Sequence, residues 1–391
     1  MADLSVNHGG LKLKNPIIVA SGPLTANIDR VQRACESGAG AVSLKHALIK
    51  QKFYAKPRWY AEKGVGILVS GDPRLTAPEA QELVRQSKEK TDMAILVNMS
   101  ALADDIDSWG RLAKEFEQAG ADAIELNLNC PNLHTAQEEG RLLGANLGQD
   151  PQSCGEVVAN IKNAGVKIPV IAKLPTEGGR MIQVAQSCEA NGVDILNIHA
   201  GFRAAAGLNI YDGGTMRFPG SATGPFGGCS GPWSRLISNR FIADTYRACK
   251  NTALMGGGGI TKWEHVVEAI MYGLMSVQIC THIMVEGFEV VTKMLADIEK
   301  YMDQMGYKTI EDFCALAVQN ITGPGEMPYA DIAAYIDPER CTGCGKCLKM
   351  PTCDAVSKDG KLCKVDPGAC VGCGLCVCVC PRDAFSFKEK S

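Results

Sequence analysis

Two features that mark whole classes of protein are absent from this sequence: long apolar runs and an excess of one charge sign. The longest apolar stretches, such as NPIIVAS and AILVNMS, have the length of a strand and are far too short to span a membrane. The formal net charge is −3, with both signs dispersed along the chain, which disfavours a nucleic-acid partner. The N-terminus, MADLSVNHGG, has no basic segment followed by an apolar one, so we expect a cytoplasmic protein that binds small molecules or other proteins.

The cysteines are distributed very unevenly. There are 18 of them, and ten lie between Cys341 and Cys380. Because nothing in the sequence indicates export, this dense tail favours metal ligation over a disulfide framework. The other eight are scattered through the preceding residues, and most of them should be buried as small hydrophobic side chains.

Strand-like apolar segments alternate with segments of helical periodicity from residue 15 to about 306, as in folds with parallel strands and crossover helices. Gly120 and Gly192 follow two of the helical segments and are typical helix stops. Eight strands predict a closed (β/α)8 TIM barrel, with an open doubly wound sheet as the alternative. The predicted strands span residues 15–21, 41–45, 94–100, 123–129, 169–174, 195–200, 252–256 and 276–281.

The length of 391 residues exceeds that of a usual single domain, and the composition changes along the chain. We predict a barrel over residues 1–306, a helix and linker over 307–335, and a small α+β ferredoxin-like domain over 336–391. Two connections in the barrel, residues 46–93 and the glycine-rich segment after the sixth strand, are too long for turns. They should lie at the C-terminal ends of strands, where loops cover substrates.

The tail contains two runs in which three cysteines are spaced two residues apart and a fourth follows. In ferredoxins with two 4Fe-4S clusters, the fourth cysteine, before a proline, ligates the other cluster. Structural zinc sites are the alternative, but CxxCxxCxxxCP with glycine after the second cysteine is much more specific for clusters. The rule predicts one cluster on Cys341, Cys344, Cys347 and Cys380, and a second on Cys370, Cys373, Cys376 and Cys353.

Three of the tail cysteines depart from this rule. Five residues, rather than three, separate Cys353 from Cys347, so the first run is longer than the ferredoxin pattern. Cys363 and Cys378 are additional thiols near the clusters. Either could replace a ligand, and we favour packing without ligation for both.

The segment GADAIELNLNCPN, residues 120–132, resembles the strand-end motif ELNLSCPN of the dihydroorotate and dihydropyrimidine dehydrogenases. The similarity continues in order through NPIIVASGP, SLK, IAKL, GGCSGP, GGGGI and QICTHIM, and so spans nearly the whole chain. Together with the C-terminal pair of clusters, it most resembles the iron–sulfur catalytic subunits of dihydropyrimidine dehydrogenase. The resemblance implies FMN in the barrel and an oxidoreductase that acts on CH–CH groups.

The resemblance also assigns residues to the flavin. Independently of it, GGGG at 256–259 offers backbone N–H groups after a strand, as do barrel loops that hold phosphate. Lysines beside the ring would stabilise negative charge on the reduced flavin, and Lys173 within VIAKLP is poorly placed for a surface lysine. Matched to the family, the phosphate and ribityl contacts are Gly257, Gly258, Thr281, Ser230 and Gly231, and the ring contacts are Ser21, Gly22, Lys45, Asn98, Asn127 and Lys173.

Cys130 is the predicted catalytic residue. Reduction of a C=C bond conjugated to a carbonyl needs hydride at one carbon and a proton at the other, so a positioned acid must face the flavin. In the resembling family the motif cysteine donates that proton, and Cys130 occupies its place, preceded by Asn129 where the family has serine. The alternative is a buried structural cysteine.

The substrate-binding positions depart from the family pattern. Ala200 and Gly201 stand where an asparagine–threonine or asparagine–serine pair aligns, and no asparagine occurs around Val69 and Ser70. Because a site that hydrogen-bonds its substrate discriminates through those groups, uracil, thymine and orotate are doubtful substrates. His199 is the new polar residue at this position, either as a second catalytic group or as a structural histidine.

No GxGxxG fingerprint follows a strand, so reductant should arrive through the clusters from a ferredoxin or an NAD(P)H-oxidising flavoprotein subunit. The leading hypothesis is an enzyme that reduces or forms a C=C bond conjugated to a carbonyl in a cyclic substrate. The alternatives are a dihydropyrimidine dehydrogenase catalytic subunit acting on uracil or thymine, a non-catalytic electron-transfer subunit, and a barrel without flavin. The resemblance further implies a homodimer, in which the clusters of one protomer serve the flavin of the other.

Overall fold

The computed structural model describes residues 2–49, 56–69, 71–102, 105–130, 147–176, 178–199, 201–323 and 325–390. The chain divides into two compact units, Met1–Asn320 and Ile321–Ser391. The division falls within the segment 307–335, for which the sequence predicts a helix and linker. Instead of the predicted helix, this segment contains 3-10 turns at Ile310–Phe313 and Val318–Asn320.

The first unit alternates strands and helices over most of its length. Its strands are β1 (Val6–His8), β2 (Leu11–Leu13), β3 (Ile17–Val19), β4 (Ala41–Leu48), β5 (Trp59–Glu62), β6 (Gly66–Val69), β7 (Leu75–Thr76), β8 (Ala94–Ser100), β9 (Ala123–Asn127), β10 (Val170–Leu174), β11 (Ile195–His199), β12 (Phe202–Ala204), β13 (Leu208–Asn209), β14 (Thr215–Met216), β15 (Gly227–Ser230), β16 (Ala253–Gly257) and β17 (Ser276–Ile279). Its helices are α1 (Ile28–Glu36), α2 (Ala77–Lys90), α3 (Asp107–Gln118), α4 (Pro151–Asn163), α5 (Met181–Ala190), α6 (Arg235–Ala248), α7 (Trp263–Met271), α8 (Thr281–Glu286) and α9 (Glu289–Met305). In the part of the chain that the structure describes, no helix is both long and apolar enough to cross a membrane.

Eight of these strands form a closed parallel barrel. The ring follows chain order through β3, β4, β8, β9, β10, β11, β16 and β17, and β17 pairs with β3 to close it. Strands such as β4 are buried along their whole length, because helices cover the outside of the barrel and side chains fill the inside. The predicted strands and the TIM barrel are confirmed, and the closure rules out the open sheet.

The N-terminal end of the barrel is closed by the antiparallel hairpin of β1 and β2. His8 on β1 is buried, and its Nε2 lies 3.0 Å from the Oγ of Ser276 at the start of β17. Gly9 at the turn has a φ of +53°, and a Cβ there would lie 2.4 Å from Ile195. The hairpin therefore requires glycine at its tip to pack against the strand starts.

Two long connections of the barrel pair with each other in one antiparallel sheet, in the order β12, β15, β6, β5. In this sheet Gly228 of the later connection lies opposite Val69 of the earlier one. The approach is close: a Cβ on Gly66, whose φ is +151°, would lie 2.1 Å from the carbonyl oxygen of Ser230. The sequence predicts two covering segments, and in the structure they form a single sheet.

The second unit is a small α+β domain, as predicted. Its strands and helix are β18 (Ile332–Ile336), β19 (Val356–Asp359), β20 (Leu362–Val365), β21 (Phe385–Glu389) and α10 (Leu375–Val379). β18 pairs with β21 and β19 with β20, both antiparallel. The core of this unit contains Ala334 and Met350 together with buried cysteines. A domain this small has little apolar surface to bury, which is why metal clusters commonly stabilise such folds.

Candidate functional site

A cavity of about 930 Å³ lies at the C-terminal ends of the barrel strands, under the four-stranded sheet. Most residues that the sequence assigns to flavin or catalysis line it. These are Ser21, Gly22, Lys45, Asn98, Asn127, Cys130, Lys173, His199, Ser230, Gly231, Gly258 and Thr281. Gly257 does not line it and is instead the buried last residue of β16, next to Gly258. Ala200 and Ser70 lie outside the described residues.

The end of β16 presents bare backbone to the cavity. Gly258 and Gly259 have φ values of 109° and 74°, a region that side chains disfavour. A Cβ on Gly257 would lie 2.2 Å from the carbonyl oxygen of Gln278. Opposite this backbone, the Oγ of Ser230 lies 3.0 Å from the Oγ1 of Thr281. Glycine N–H groups beside two hydroxyls fit the phosphate and ribityl end of FMN.

A buried charge network occupies the barrel interior behind Lys173. Its centre is Glu125 on β9, which is fully buried. The Lys173 Nζ lies 3.0 Å from Gln278 Oε1 and 3.8 Å from a Glu125 oxygen. The Glu125 carboxylate accepts hydrogen bonds from Ser43 at 2.6 Å, Asn98 at 2.6 Å, Asn197 at 2.7 Å and Gln278.

This network keeps Glu125 ionised. Burial opposes ionisation, but the Lys173 charge and the hydrogen bonds outweigh it and hold the pKa of Glu125 below its usual value. The carboxylate thereby fixes the ammonium of Lys173 at the cavity wall. A lysine so placed fits the polar edge of a flavin ring, where it would stabilise negative charge.

A second buried group of charges lines the opposite wall. Lys45 on β4 forms a salt bridge with Asp72, and Asp72 also accepts a hydrogen bond at its backbone oxygen from Arg74 at 2.5 Å. All three side chains are buried. Burial and the nearby Arg74 charge lower the pKa of Lys45, against the opposing effect of Asp72. Two basic side chains and one carboxylate therefore line this wall of the cavity.

Cys130 follows β9 directly, and its position depends on Asn127. The Oδ1 of Asn127 accepts hydrogen bonds from the backbone N–H of Cys130 at 2.8 Å and of Asn129 at 3.2 Å. This turn presents the half-buried Cys130 Sγ to the cavity, where Arg74 Nη2 donates to it at 3.4 Å. The thiol therefore lies in a polar, cationic environment, unlike a cysteine that only fills a core.

The histidines of the cavity are neutral near pH 7. Burial, reinforced by the Lys173 charge, lowers the pKa of His199 to about 3. Burial and neighbouring cations lower the pKa of His46 well below its usual value. His199 is therefore a neutral imidazole, which can donate one hydrogen bond and accept another.

Most of the amide side chains around the cavity are used within the protein. The Nδ2 of Asn127 donates to the Oδ1 of Asn98 at 2.8 Å, and Asn98 and Gln278 donate to Glu125. Gly201 has no side chain, and its backbone N–H is bonded to Thr176. Among the described amides that line the cavity, Asn129 has the one side chain with no hydrogen bond to the described protein.

In the second unit, a small cavity is surrounded by cysteines from both runs. Cys341, Cys344 and Cys347 line it together with Cys380 and Pro381. Cys380 therefore lies beside the first three-cysteine run, although it follows the second in sequence. Cys363 on β20 is buried and lines the same cavity, so its thiol lies next to the predicted cluster site.

The two three-cysteine runs have the same backbone conformation. Gly343 and Gly345 have φ values of 64° and 72°, and Gly372 and Gly374 have 68° and 84°. A Cβ on Gly343 would lie 1.8 Å from the carbonyl oxygen of Lys361. Each run is therefore a left-handed turn that only glycine permits without strain, and it spreads three sulfurs around one space.

The remaining cysteines of this unit are arranged less symmetrically. Cys353, Cys370 and Cys376 belong to its core, whereas Cys378 is exposed. Backbone N–H groups donate to two of the predicted ligand sulfurs, Ala334 to Cys370 at 3.3 Å and Ala384 to Cys380 at 3.4 Å. N–H···S hydrogen bonds of this kind are a recurrent feature of iron–sulfur sites, so the donor set fits clusters.

Among the described residues, no three His, Cys, Asp or Glu side chains converge closely enough to hold a single metal ion. A cubane cluster places its cysteine ligands farther apart than one tetrahedral ion does, because the iron and sulfide atoms lie between them.

Four functional groups of the barrel were not predicted from the sequence: Asp72, Arg74, Glu125 and Gln278. A signal exists for Glu125, since a charged residue within the apolar strand AIELN demands an internal partner. Asp72 and Arg74 lie in the long connection after β4, where charged residues are usually solvated. Their burial depends on the folding of that connection over the barrel.

Comparison with known proteins agrees with this geometry. The dihydroorotate dehydrogenase family matches residues 3–302 of the chain, and a 4Fe-4S binding domain matches residues 363–386. The NAD-dependent dihydropyrimidine dehydrogenase subunit PreA of Escherichia coli strain K12 is 25% identical over 354 residues, which cover 88% of this chain and 84% of PreA.

Two catalytic subunits of dihydroorotate dehydrogenase B (NAD(+)) are also similar. That of Pyrococcus abyssi is 30% identical over 318 residues, which cover 81% of this chain and 99% of the relative. That of Thermococcus kodakarensis is 30% identical over 321 residues, which cover 82% of this chain and 99% of the relative. The similarity to these subunits therefore extends over nearly their full length.

Proposed function

The chain belongs to the dihydroorotate dehydrogenase family and is an oxidoreductase acting on CH–CH groups, and from this premise we propose its reaction. It reduces, or forms, a C=C bond conjugated to a carbonyl in a cyclic substrate. FMN in the barrel cavity and two 4Fe-4S clusters in the second unit are the proposed cofactors. The observation that carries the proposal is the Cys130 thiol in one cavity with the ammonium groups of Lys45 and Lys173.

The residues of the chain take the following parts in this proposal. Bound FMN supplies hydride exchange at one carbon of the double bond. Cys130 holds the proton that the neighbouring carbon receives, or accepts it in the reverse direction. Lys173 and Lys45 orient the ring edge, and Ser230 and Thr281 hold the phosphate and ribityl end. The overlying sheet contributes Val69 and Gly228 to the cavity wall.

We propose that the substrate is not uracil, thymine or orotate. Support comes from the amide inventory of the cavity, since the side chains of Asn98, Asn127 and Gln278 are engaged within the protein. Gly201 offers no side chain at the position where the family places a polar one. A cyclic amide needs several directed hydrogen bonds to be held specifically, and each missing partner costs affinity once the ligand is desolvated.

For the second unit, we propose the crossed ligand sets predicted from the sequence, with Cys380 on the Cys341 cluster and Cys353 on the Cys370 cluster. The shared cavity of Cys380 with the first run supports the first set. Electrons would enter from a ferredoxin or an NAD(P)H-oxidising flavoprotein subunit. The names of PreA and of the dehydrogenase B subunits, which specify NAD, support a partner of the second kind. A homodimer is the proposed assembly.

The decisive test replaces Cys130 with alanine and measures the two half-reactions separately on anaerobically purified protein. Oxidation of the reduced enzyme by substrate should slow by about a hundredfold to ten-thousandfold, because the positioned acid is lost. Reduction by the electron partner should be unchanged, and FMN and iron should remain bound. Cys229→Ala is the matched control, since Cys229 lines the same cavity but lies on the overlying sheet.

Three outcomes would contradict the proposal. An unchanged rate of oxidation of the reduced enzyme by substrate in Cys130→Ala would leave Cys130 a packing residue and make a non-catalytic electron-transfer subunit the better assignment. Purified protein without FMN would exclude flavin chemistry. Efficient turnover of uracil or thymine by the unmodified enzyme would identify a dihydropyrimidine dehydrogenase. Enones, enoates and unsaturated lactams are screened in the same assay.

A further inference from the structure

Arg74 is a charged side chain in direct contact with the Cys130 thiol in the described cavity. Its Nη2 donates to the Cys130 Sγ at 3.4 Å, and its Nη1 donates to the backbone oxygen of Asp72 at 2.5 Å. The side chain is 6% exposed, so the contact is shielded from bulk water. In such surroundings a fixed guanidinium acts on a neighbouring sulfur far more strongly than it would at the surface.

The position of Arg74 is held by the elements that follow it. Immediately after Arg74, β7 pairs in parallel with the end of β4, where Leu75 lies opposite Ala47. Thr76 then caps α2 in a reciprocal pair of hydrogen bonds with Glu79. Arg74 directly precedes β7, which pairs with β4, and the capped start of α2 follows. These two elements therefore fix the position of Arg74 at the cavity wall.

A thiol that gives up its proton becomes a thiolate, and the negative charge must be stabilised where it forms. Arginine remains protonated at all accessible pH values, and hydrogen bonds to ionised groups are the strong ones. Resting on the function proposed above, we propose that Arg74 is a further catalytic residue, which binds the thiolate form of Cys130 left after proton donation and, in the reverse direction, holds it ready as a base. Asp72 is the positioning residue that orients the guanidinium.

Among the described residues that line the cavity, Arg74 is the charged group that hydrogen-bonds the Cys130 sulfur. The two interior histidines are neutral, and burial raises the pKa of the Cys280 thiol to about 11. Lys45 is engaged by Asp72. The complete set of ionisable residues on the described wall is Lys45, His46, Glu62, Lys63, Asp72, Arg74, Cys130, Lys173, His199, Cys229, Cys280, His282 and Glu286.

The contact can be tested without any substrate. Holoenzyme is treated anaerobically with iodoacetamide across a pH series, and alkylation of Cys130 is followed by mass spectrometry of its peptide. Because the thiolate is the reacting form, Arg74→Met should slow alkylation of Cys130 at pH 7 by about tenfold. The alkylation rate of Arg74→Lys should lie between those of the unmodified protein and Arg74→Met, because lysine keeps the positive charge but lacks the paired N–H donors of the guanidinium. Cys229 in the same samples is the internal control for access.

Alkylation of Cys130 at the unmodified rate in Arg74→Met, or an equal slowing at Cys229, would overturn the inference. Should Arg74→Met fail to fold, Arg74→Lys decides, because it should slow alkylation of Cys130 and leave that of Cys229 unchanged. The rate at which substrate oxidises the reduced enzyme should fall in the same order of variants. In a Cys130→Ala background, Arg74→Met should not lower that rate further. Since alkylation needs no substrate, its failure is distinguishable from failure of the proposed reaction.

Discussion

In the second unit the proposed ligands lie close together in sequence, whereas the polar groups of the barrel site come from strands spread over most of the first unit. The three-cysteine runs need only two glycines each to bend the backbone around a common space. The Glu125 network, by contrast, joins side chains from β4, β8, β10, β11 and β17. A local site follows from residue spacing, and a distributed site follows from the closure of the barrel.

The two regions also differ in how they stabilise charge. The barrel encloses the Glu125 carboxylate together with the side chains that donate hydrogen bonds to it. Protein groups alone therefore stabilise the buried charge. The second unit offers sulfurs and backbone N–H groups, whose arrangement is completed by metal and sulfide. Removal of one cluster cysteine in the second unit and removal of one charged side chain in the barrel should therefore have very different effects.

The largest effect is expected from Cys380, the one cysteine of the first set that lies outside its local run. Cys380→Ala should remove one cluster, because alanine cannot ligate iron. The iron content should fall to about half of that of the unmodified protein. Cys378→Ala, two residues away and exposed, is the matched control and should keep all of the iron. Iron and sulfide analysis with electron paramagnetic resonance of the reduced protein measures both.

Combining substitutions identifies which cluster Cys380 serves. Cys344→Ala with Cys380→Ala should lose no more iron than either alone, whereas Cys373→Ala with Cys380→Ala should lose both clusters. The reverse pattern would show that the fourth ligands are not exchanged. Full iron in Cys380→Ala would point to Cys363, which lines the same cavity, as the ligand.

A smaller but still large effect is expected from the distributed network. Glu125→Gln should lower the free energy of unfolding by about 3 kcal/mol, because Lys173 loses its buried counter-charge and the new amide must face donors. Glu82→Gln is the control: its ion pair with Arg85 is exposed, and the change should be below about 0.5 kcal/mol. Urea denaturation followed by tryptophan fluorescence measures both, and equal effects would mean that the network adds nothing to stability.

The smallest effect concerns acid. The pKa of His8 is lowered by burial to about 4 and that of His199 to about 3. Between these values and about 6.5, the unfolded chain binds protons that the folded barrel does not, so stability present at pH 7 is lost as the pH falls. Each histidine should lower the free energy of unfolding by about 2 kcal/mol between pH 7 and pH 5.

This acid effect should be confined to the barrel, because all six histidines and all four tryptophans of the chain precede residue 321. Tryptophan fluorescence therefore reports the affected unit alone. His8→Gln should reduce the dependence on pH while keeping a hydrogen-bonding group near Ser276. An unchanged dependence in that variant would show that His8 is protonated in the folded protein.

Much of the site could be predicted from residues because its parts are tied to strand ends. The glycines after β16, the lysines of β4 and β10 and the cysteine after β9 each follow a recognisable apolar strand, and the carboxyl ends of parallel strands share one face. Gly257 is the last residue of β16 and Gly258 lines the cavity, and spacing alone does not tell which glycine of a run leaves the strand. Glu125 and Gln278 were missed because their partners lie on strands remote in sequence.

The sequence by itself determined the barrel, the two cysteine turns and the place of Cys130, since strand periodicity, glycine conformations and short cysteine spacings are local properties. Only the tertiary structure decided that the two long connections pair as one sheet over the cavity and that Arg74 lies against the Cys130 sulfur. It likewise decided that Cys363 lines the space around the first cysteine run. These contacts join segments whose mutual approach depends on the closed ring of strands, and no local pattern encodes that closure.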